Sequence, residues 1–231
     1  MRYLLFIFLI LTSCSSSNSV IDNLIVSPSK NGLKYLSLGD SYTIGESVKT
    51  DERWSVILSN LLSQRKFQFE TLNIIAKTGW TTSELQAAIV GQAPKNEYDL
   101  VSLLIGVNNQ YRGQSIDTYR KEFTALLNSA VSFAKGRIDR VFVLSIPDWS
   151  VTPFAAGTDK AKTAREIDAF NTAAKEECAK LGIVFIDITP ISRTAANDRT
   201  QIASDGLHFS GLMYKQWADA ALPTVKRLLE K

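Results

Sequence analysis

The chain has 231 residues, 45% of them hydrophobic, 10% aromatic and 21% charged, which is typical of a globular protein with a substantial core. A formal net charge of only +3 and the lack of a dense Lys/Arg stripe argue against a nucleic-acid partner. Two cysteines without a CxxC pair and one histidine without an HExxH motif argue against a thiolate or imidazole metal site. We therefore expect no cofactor and no metal ion, with a carboxylate-only magnesium or calcium site as the remaining alternative.

The N-terminus has the pattern of a segment that is removed on export. Arg2 precedes an apolar run of about ten residues, 3–12, which has the length of a signal-peptide core and falls short of the roughly 20 residues that span a bilayer. The run ends in Leu11-Thr12-Ser13-Cys14, which resembles the processing box of bacterial lipoproteins. The resemblance implies cleavage before Cys14 and lipidation of that cysteine. Secretory cleavage near Ser13 with an incidental cysteine is the alternative.

A lipidated Cys14 would place the protein in the bacterial cell envelope, held to a membrane through its lipid anchor only. The two serines that follow it provide no Asp retention signal, so the resemblance favours the outer membrane, with the periplasm or the cell surface as the compartment. The expected organisation is a signal peptide at 1–13, the lipidated cysteine with a Ser- and Asn-rich tether at 14–31, and one domain at 32–231.

From Leu33 onward, short apolar runs alternate with longer amphipathic segments. The runs predict five strands, at 33–38, 71–76, 100–105, 140–146 and 183–188. Helical periodicity predicts five helices, at 53–65, 82–90, 116–134, 161–181 and 211–229. This alternation is typical of an α/β fold, a three-layer α/β/α domain around a five-stranded parallel sheet, for which we expect the flavodoxin-like strand order 2-1-3-4-5. Cys178 falls on the apolar stripe of the fourth helix, so we expect a buried free thiol there rather than a disulfide to Cys14.

Residues able to carry chemistry follow the first three predicted strands and precede the last helix. Gly39-Asp40-Ser41, Lys77-Thr78-Gly79 and Gly106-Val107-Asn108 stand at the strand exits, and Asp205-Gly206-Leu207-His208 lies in the last loop. Because ligands bind beyond the carboxyl ends of parallel strands, we expect these segments to meet at one edge of the sheet. A serine at a strand exit with an Asp/His pair is the minimum set for nucleophilic acyl transfer, and His208 is the only histidine in the chain.

In this order the four segments resemble the motif blocks of the SGNH hydrolases, also called GDSL esterases and lipases, and the resemblance extends from about Leu33 to the last helix. It implies that Ser41 is the nucleophile, that His208 is the general base and then the general acid, and that Asp205 orients the imidazole. It also implies an oxyanion hole formed by the backbone N–H groups of Ser41 and Gly79 and by the side-chain amide of Asn108.

Three residues depart from the usual pattern of that family. Asn109 stands where Asp is most common, Phe209 where Pro is common, and Tyr42 where Leu or Ser is frequent after the serine. We expect the change at Asn109 to have little effect because that Asp is usually structural, and Phe209 to alter the loop more than the chemistry. Tyr42 is expected to line the acyl pocket, and Asp40 is interpreted as structural.

The segment 147–154 follows the fourth strand and carries two prolines and two aromatic residues. Trp149 and Phe154, with Tyr42, are candidates for the wall of an apolar or sugar-binding substrate pocket. Packing of the two aromatic rings against the core is the alternative. Tyr111 is a further candidate for contact with substrate, whereas nothing in the sequence supports a carboxylate or phosphate ligand for Arg112.

The sequence thus predicts an enzyme, a serine hydrolase that cleaves carboxylic esters through an acyl-enzyme, with a small-molecule or glycan ester as its partner. A carbohydrate O-acetyl esterase acting on acetylated glycans is the narrower alternative, and a non-catalytic lipoprotein that binds glycans or lipids is the other. A dinucleotide site is excluded because G-x-G-x-x-G is missing, and an α/β-hydrolase nucleophile elbow because position 43 is Thr. The oligomeric state is left undetermined.

Overall fold

The computed structural model describes residues 22–24, 31–95 and 97–231. The expected signal peptide, the expected lipidation site at Cys14 and most of the expected tether lie outside the described residues. From residue 31 onward the described chain alternates strands and helices in the manner of one α/β domain. Within the described ranges no helix combines the length and the apolar character that crossing a membrane requires.

The strands of the sheet are Asp22–Leu24 (β1), Leu33–Gly39 (β2), Phe69–Ala76 (β3), Leu100–Leu104 (β4), Val141–Leu144 (β5) and Val184–Ile186 (β6). Their order across the sheet is β1-β3-β2-β4-β5-β6. The five strands from β2 onward are parallel, and their order is the expected 2-1-3-4-5. β1 pairs antiparallel with β3 inside the segment interpreted as a tether. The sequence does not predict it, because three residues are too few to show a periodic pattern.

The helices of the described chain are Ser41–Ile44 (α1), Trp54–Ser63 (α2), Thr82–Gln92 (α3), Val107–Tyr111 (α4), Ile116–Phe133 (α5), Lys160–Leu181 (α6), Thr189–Arg193 (α7) and Gly211–Leu229 (α8). The long helices are the five that the periodicity predicts. α2 packs against α8, whereas α5 packs against both α3 and α6. Right-handed crossovers impose this division of the helices between the two faces of the sheet.

β5 and β6 are shorter than their apolar runs predict. β5 begins after Arg140, which belongs to a 3-10 turn, and it ends at Leu144. Beyond that end, Ile146 donates its N–H to Asn171 Oδ1 (2.8 Å) and accepts from Asn171 Nδ2 (3.0 Å). A side chain of α6 therefore takes the hydrogen bonds that a neighbouring strand would have made, and the ladder stops.

The register of the sheet brings three strand ends to the same level. Gly39, the last residue of β2, lies opposite Ala76 of β3 and Leu104 of β4. Every residue of β4 and β5 is buried, which accounts for their unbroken apolar sequence. The turns that follow β2, β3 and β4 consequently start side by side, as the motif positions require.

Cys178 on α6 is a buried free thiol, as expected, and burial raises its pKa to about 12.

Candidate active site

Ser41 follows β2 after a single intervening residue and is the first residue of α1. Asp40 caps this short helix, because its Oδ1 accepts the backbone N–H of Tyr42 at 3.0 Å. Ser41 is 5% exposed and lines a cavity of about 140 Å³. Its hydroxyl makes no hydrogen bond to another residue in the described ranges. The strand–turn–helix therefore presents a serine with an unengaged hydroxyl at the carboxyl edge of the sheet.

Asp205 and His208 form a hydrogen-bonded pair in the loop before α8. His208 Nδ1 lies 2.6 Å from Asp205 Oδ2, while Asp205 Oδ1 accepts the backbone N–H groups of Leu207 and His208 at 2.9 Å each. The loop is closed by a bond from the Ala203 N–H to the His208 carbonyl (2.8 Å). The ring is therefore held by its own loop, and it lines the same cavity as Ser41.

The carboxyl group of Asp205 is kept ionised by its hydrogen bonds. Partial burial would raise its pKa, but the bonds from the Ser47 hydroxyl, from the Leu207 N–H and from His208 outweigh burial and hold the pKa well below its usual range. An ionised carboxylate only accepts hydrogen bonds, so Nδ1 of His208 must carry the proton that joins the pair. Nε2 is then the ring nitrogen that remains to act as a base.

Aromatic rings pack around the imidazole. Tyr42 contacts His208 edge to face, with ring centroids 5.6 Å apart and an interplanar angle of 66°. Phe209 is fully buried, and its centroid lies 5.9 Å from that of Tyr42 and 5.4 Å from that of Trp217. Phe209 also pairs with Ile202 in an isolated antiparallel bridge. The residue that replaces the common Pro therefore anchors the histidine loop in the core between α1 and α8.

Gly79 lies in the turn after β3 with a φ of +86°, a conformation that favours glycine. A Cβ built at this position would meet only Arg112 Nη2, at 3.8 Å, so the space beside its backbone is open. Arg112 Nη2 donates to the Gly79 carbonyl at 2.6 Å, and Nη1 donates to the Glu84 carboxylate at 3.2 Å. The guanidinium thus ties the Gly79 turn to the first turn of α3.

The turn after β4 supplies Asn108 and Asn109, whose side chains have different partners. Asn108 Nδ2 donates to the Trp80 carbonyl at 3.0 Å, which leaves its second N–H available, and the residue lines the cavity. Asn109 is fully buried and its Oδ1 accepts the Thr82 N–H at 3.1 Å. An amide oxygen accepts this bond as a carboxylate would, so Asn109 has the structural position that its place in the motif suggests.

Gly106 begins that turn, at a position where no other residue fits. Its φ is +131°, and a Cβ there would lie 2.8 Å from the ring of Tyr119. Tyr119 is buried in α5 and its hydroxyl reaches the Ile105 carbonyl at 3.3 Å. The glycine therefore lets the backbone turn against α5 and carry Asn108 into the cavity.

Three aromatic residues wall the cavity and contact one another. The centroid of Trp149 lies 5.5 Å from that of Tyr111 and 5.8 Å from that of Phe154, and Tyr111 and Phe154 are 6.1 Å apart. Trp149 is buried, with its Nε1 bonded to Gln110 Oε1 at 2.9 Å, whereas Tyr111 and Phe154 are about half exposed. Trp149 therefore packs in the core as the alternative expected, whereas Phe154 does not, and both rings line the cavity. Their contact with substrate stays a prediction.

The structure brings all the expected site residues among the described ranges to this cavity, except that Asp205 reaches it through His208. Two contacts were not predicted, those of Ser47 with Asp205 and of Arg112 with Gly79. Both contacts join segments far apart in sequence, so no local sequence pattern predicts them. No group of three or more His, Cys, Asp or Glu residues suited to a metal ion occurs in the part of the chain that the structure describes.

Known proteins share this fold. TesA aligns with a TM-score of 0.66 at 18% identity, over 84% of this chain and 99% of that one. A lipase/acylhydrolase from Enterococcus faecalis aligns with a TM-score of 0.63 at 17% identity, covering 84% and 96% of the two chains. Axe2, an acetylxylan esterase from Geobacillus stearothermophilus, aligns with a TM-score of 0.61 at 18% identity, covering 84% and 94%. At these identities the likeness concerns the fold.

The sequence comparison is more specific. No curated protein matches the chain. The family profile described as GDSL-like Lipase/Acylhydrolase matches residues 37–216, which is well over half of the chain and includes the four motif segments. The resemblance inferred from those segments is confirmed, and the chain belongs to the GDSL-like lipase/acylhydrolase family.

Proposed function

We propose that this protein is a serine hydrolase that cleaves carboxylic esters through an acyl-enzyme formed on Ser41. The observation that carries the proposal is the position of the chain's only histidine. His208 is bonded to an ionised Asp205 through Nδ1 and lines the same cavity as Ser41. A base that is oriented by a carboxylate next to a serine is the arrangement that nucleophilic catalysis requires.

In the proposed reaction, Nε2 of His208 takes the hydroxyl proton as Ser41 Oγ attacks the ester carbonyl carbon. The carbonyl oxygen becomes an oxyanion, for which the Ser41 N–H, the Gly79 N–H and the free N–H of Asn108 Nδ2 are the proposed donors. The imidazolium returns the proton to the leaving alcohol as the C–O bond breaks. Water then attacks the acyl-enzyme by the same route. Among the described residues the hydroxyl of Ser41 has no hydrogen-bond partner, and such catalytic bonds often form only when substrate is present.

The first test is covalent labelling. A fluorophosphonate probe should modify Ser41, and Ser41→Ala should abolish labelling and lower ester turnover by about a thousandfold or more. Ser132→Ala, on the exposed side of α5, is the matched control and should behave as wild type. Modification of another residue, or full turnover by the Ser41 variant, would remove Ser41 from the mechanism. A wild-type protein that is neither labelled nor active on any ester would favour the non-catalytic binding protein.

The second candidate is a carbohydrate O-acetyl esterase, and the shape of the cavity favours it. The volume of about 140 Å³ is close to that of an engineered protein cavity, roughly 150 Å³, that takes up one benzene molecule. Such a space suits an acetyl or other short acyl group. Tyr111 and Phe154 present half-exposed aromatic rings at the wall of the cavity, and the apolar face of a sugar ring could stack on them. Release of acetate from acetylated oligosaccharides, faster than from simple alkyl acetates, would support this candidate.

A further inference from the structure

Ser47 contacts the proposed triad from outside it. It lies in the turn after α1, 158 positions before Asp205, and its hydroxyl donates to Asp205 Oδ2 at 2.6 Å. That oxygen is the one that also bonds His208 Nδ1. Every other hydrogen bond that Asp205 accepts within the described ranges comes from its own loop.

The backbone around Ser47 is tied to the nucleophile. The N–H groups of Gly45 and Glu46 both donate to the Ser41 carbonyl at 3.0 Å. The Glu46 carboxylate accepts from the Thr78 hydroxyl, in the turn next to Gly79. The hydroxyl of Ser47 is therefore placed relative to Ser41 by a turn of only a few residues, and the same turn contacts the proposed oxyanion segment.

Ser47 adopts a backbone conformation that is unfavourable for its residue type. Its φ is +63°, in the left-handed region, where glycine would be relaxed and serine is not. The residue is exposed, so burial of its side chain does not account for the strain. Lys66, Ala93 and Lys135 share this conformation in the described chain, so the positive φ of Ser47 matters here because it accompanies the bond from its hydroxyl to Asp205.

We propose that Ser47 is a positioning residue, which fixes the Asp205 carboxylate, and through it the His208 ring, with respect to Ser41. The proposal rests on the proposed function of that triad. The hydrogen bond from the Ser47 hydroxyl partly compensates the negative charge on Oδ2 and restricts rotation of the carboxylate. Without that hydroxyl the carboxylate should attract the imidazolium more strongly, because its charge is less compensated. It should also hold the ring less firmly, because it is free to rotate.

Two variants distinguish the effect of losing the hydroxyl from the effect of relaxing the backbone at position 47. Ser47→Ala removes the donor and keeps a side chain at positive φ, whereas Ser47→Gly removes the donor and relaxes the backbone. Both should lower kcat for p-nitrophenyl acetate by about three- to tenfold with little change in KM, since exposure to water reduces a hydrogen bond to a charged group to the net worth of an ordinary one. The acid limb of the pH–rate profile should move to higher pH in both variants.

The sole histidine offers a readout that needs no turnover. The imidazole signals of His208 can be followed by NMR as pH changes, and the midpoint should lie at higher pH in both Ser47 variants than in wild type. In the described chain, Asp205 from its own loop and Tyr42 from α1 are the titratable groups in contact with the ring. Both are unchanged in the variants, so a shift reports on Ser47.

Lys66→Gly is the matched control, because Lys66 also has a positive φ, +75°, in the turn after α2. It should be as stable as wild type or more so and should show unaltered kinetics and an unaltered His208 titration. Wild-type kcat together with an unshifted titration in the Ser47 variants would overturn the proposal. Failure of the proposed function would look different, because the wild-type protein itself would then be inactive and unlabelled.

Discussion

Asp40, next to the proposed nucleophile, is a carboxylic acid in a fully buried environment. Its Oδ1 caps α1, but its Oδ2 has no hydrogen-bond partner among the described residues, and the same holds for the nearby Thr43 hydroxyl. Burial raises the pKa of the Asp40 carboxyl from 3.8 to about 7, despite the bond from the Tyr42 N–H, which lowers it. Asp40 is therefore structural as a helix cap, but ionisation of its buried carboxyl group costs free energy of folding, which its place in the motif does not suggest.

That cost predicts how stability depends on pH. Between about pH 4 and pH 7 the folded chain holds a proton at Asp40 that the unfolded chain has released, so this group lowers stability as pH rises through that window. Asp40→Asn should flatten the dependence and stabilise the protein above pH 7 by about 1–4 kcal/mol. Urea unfolding at pH 4 to 9 measures both effects. Asp51→Asn, at an exposed position, is the control, and an Asp40→Asn curve parallel to wild type would refute the assignment.

At the scale of elements, the site is held by contacts between the turns that follow different strands. Thr81 caps α3 and forms a capping box with Glu84, and the Glu84 carboxylate also receives Arg112 from the end of α4. Arg112 in turn bonds the Gly79 carbonyl. The proposed oxyanion donors on two neighbouring turns are therefore fixed to one another by a single guanidinium, which makes two or more hydrogen bonds from one rigid plane.

The cavity wall is also a property of elements, because Tyr111 ends α4 while Trp149 and Phe154 lie in two 3-10 turns. A volume of about 140 Å³ should limit the acyl chain. Across p-nitrophenyl esters from acetate to palmitate, we expect kcat/KM to be highest for acetate to butyrate and to fall by about tenfold or more for palmitate. Phe154→Ala should narrow that difference by opening the wall, whereas Val90→Ala, exposed on α3, should leave it unchanged. Preference of the wild-type enzyme for palmitate would contradict this assignment.

At the scale of the whole molecule, the sequence predicts a domain joined to a membrane by lipid at Cys14, a residue outside the described part of the chain. We propose that the protein is a lipoprotein of the bacterial cell envelope. Cys14→Ser should move the protein from the membrane fraction to the soluble fraction of cells and leave ester turnover per molecule unchanged, because Cys14 is not among the residues proposed for catalysis. Equal partition of the variant and the wild-type protein would refute lipidation at this cysteine.

Much of the fold was predictable because buried parallel strands and amphipathic helices leave periodic patterns in the sequence. The five parallel strands and the five long helices follow from those patterns, while the handedness of crossovers only restricts the strand order, for which the flavodoxin-like choice is confirmed. Where strands end was less predictable, since the end of β5 depends on Asn171, a side chain of α6 that replaces a strand partner. A contact between distant segments has no local signature.

The same distinction applies to the site. By itself the sequence determined the candidate nucleophile, base and carboxylate, because Ser41, Asp205 and the sole histidine stand in short motifs whose residue types follow from the chemistry of acyl transfer. Only the tertiary structure decided that Ser47 bonds Asp205, that Arg112 bonds Gly79, and that Asp40 is buried with an unpartnered oxygen. The reason is physical: residue type and periodicity are encoded locally, whereas the burial, charge and hydrogen bonds of a group depend on which distant segments pack against it.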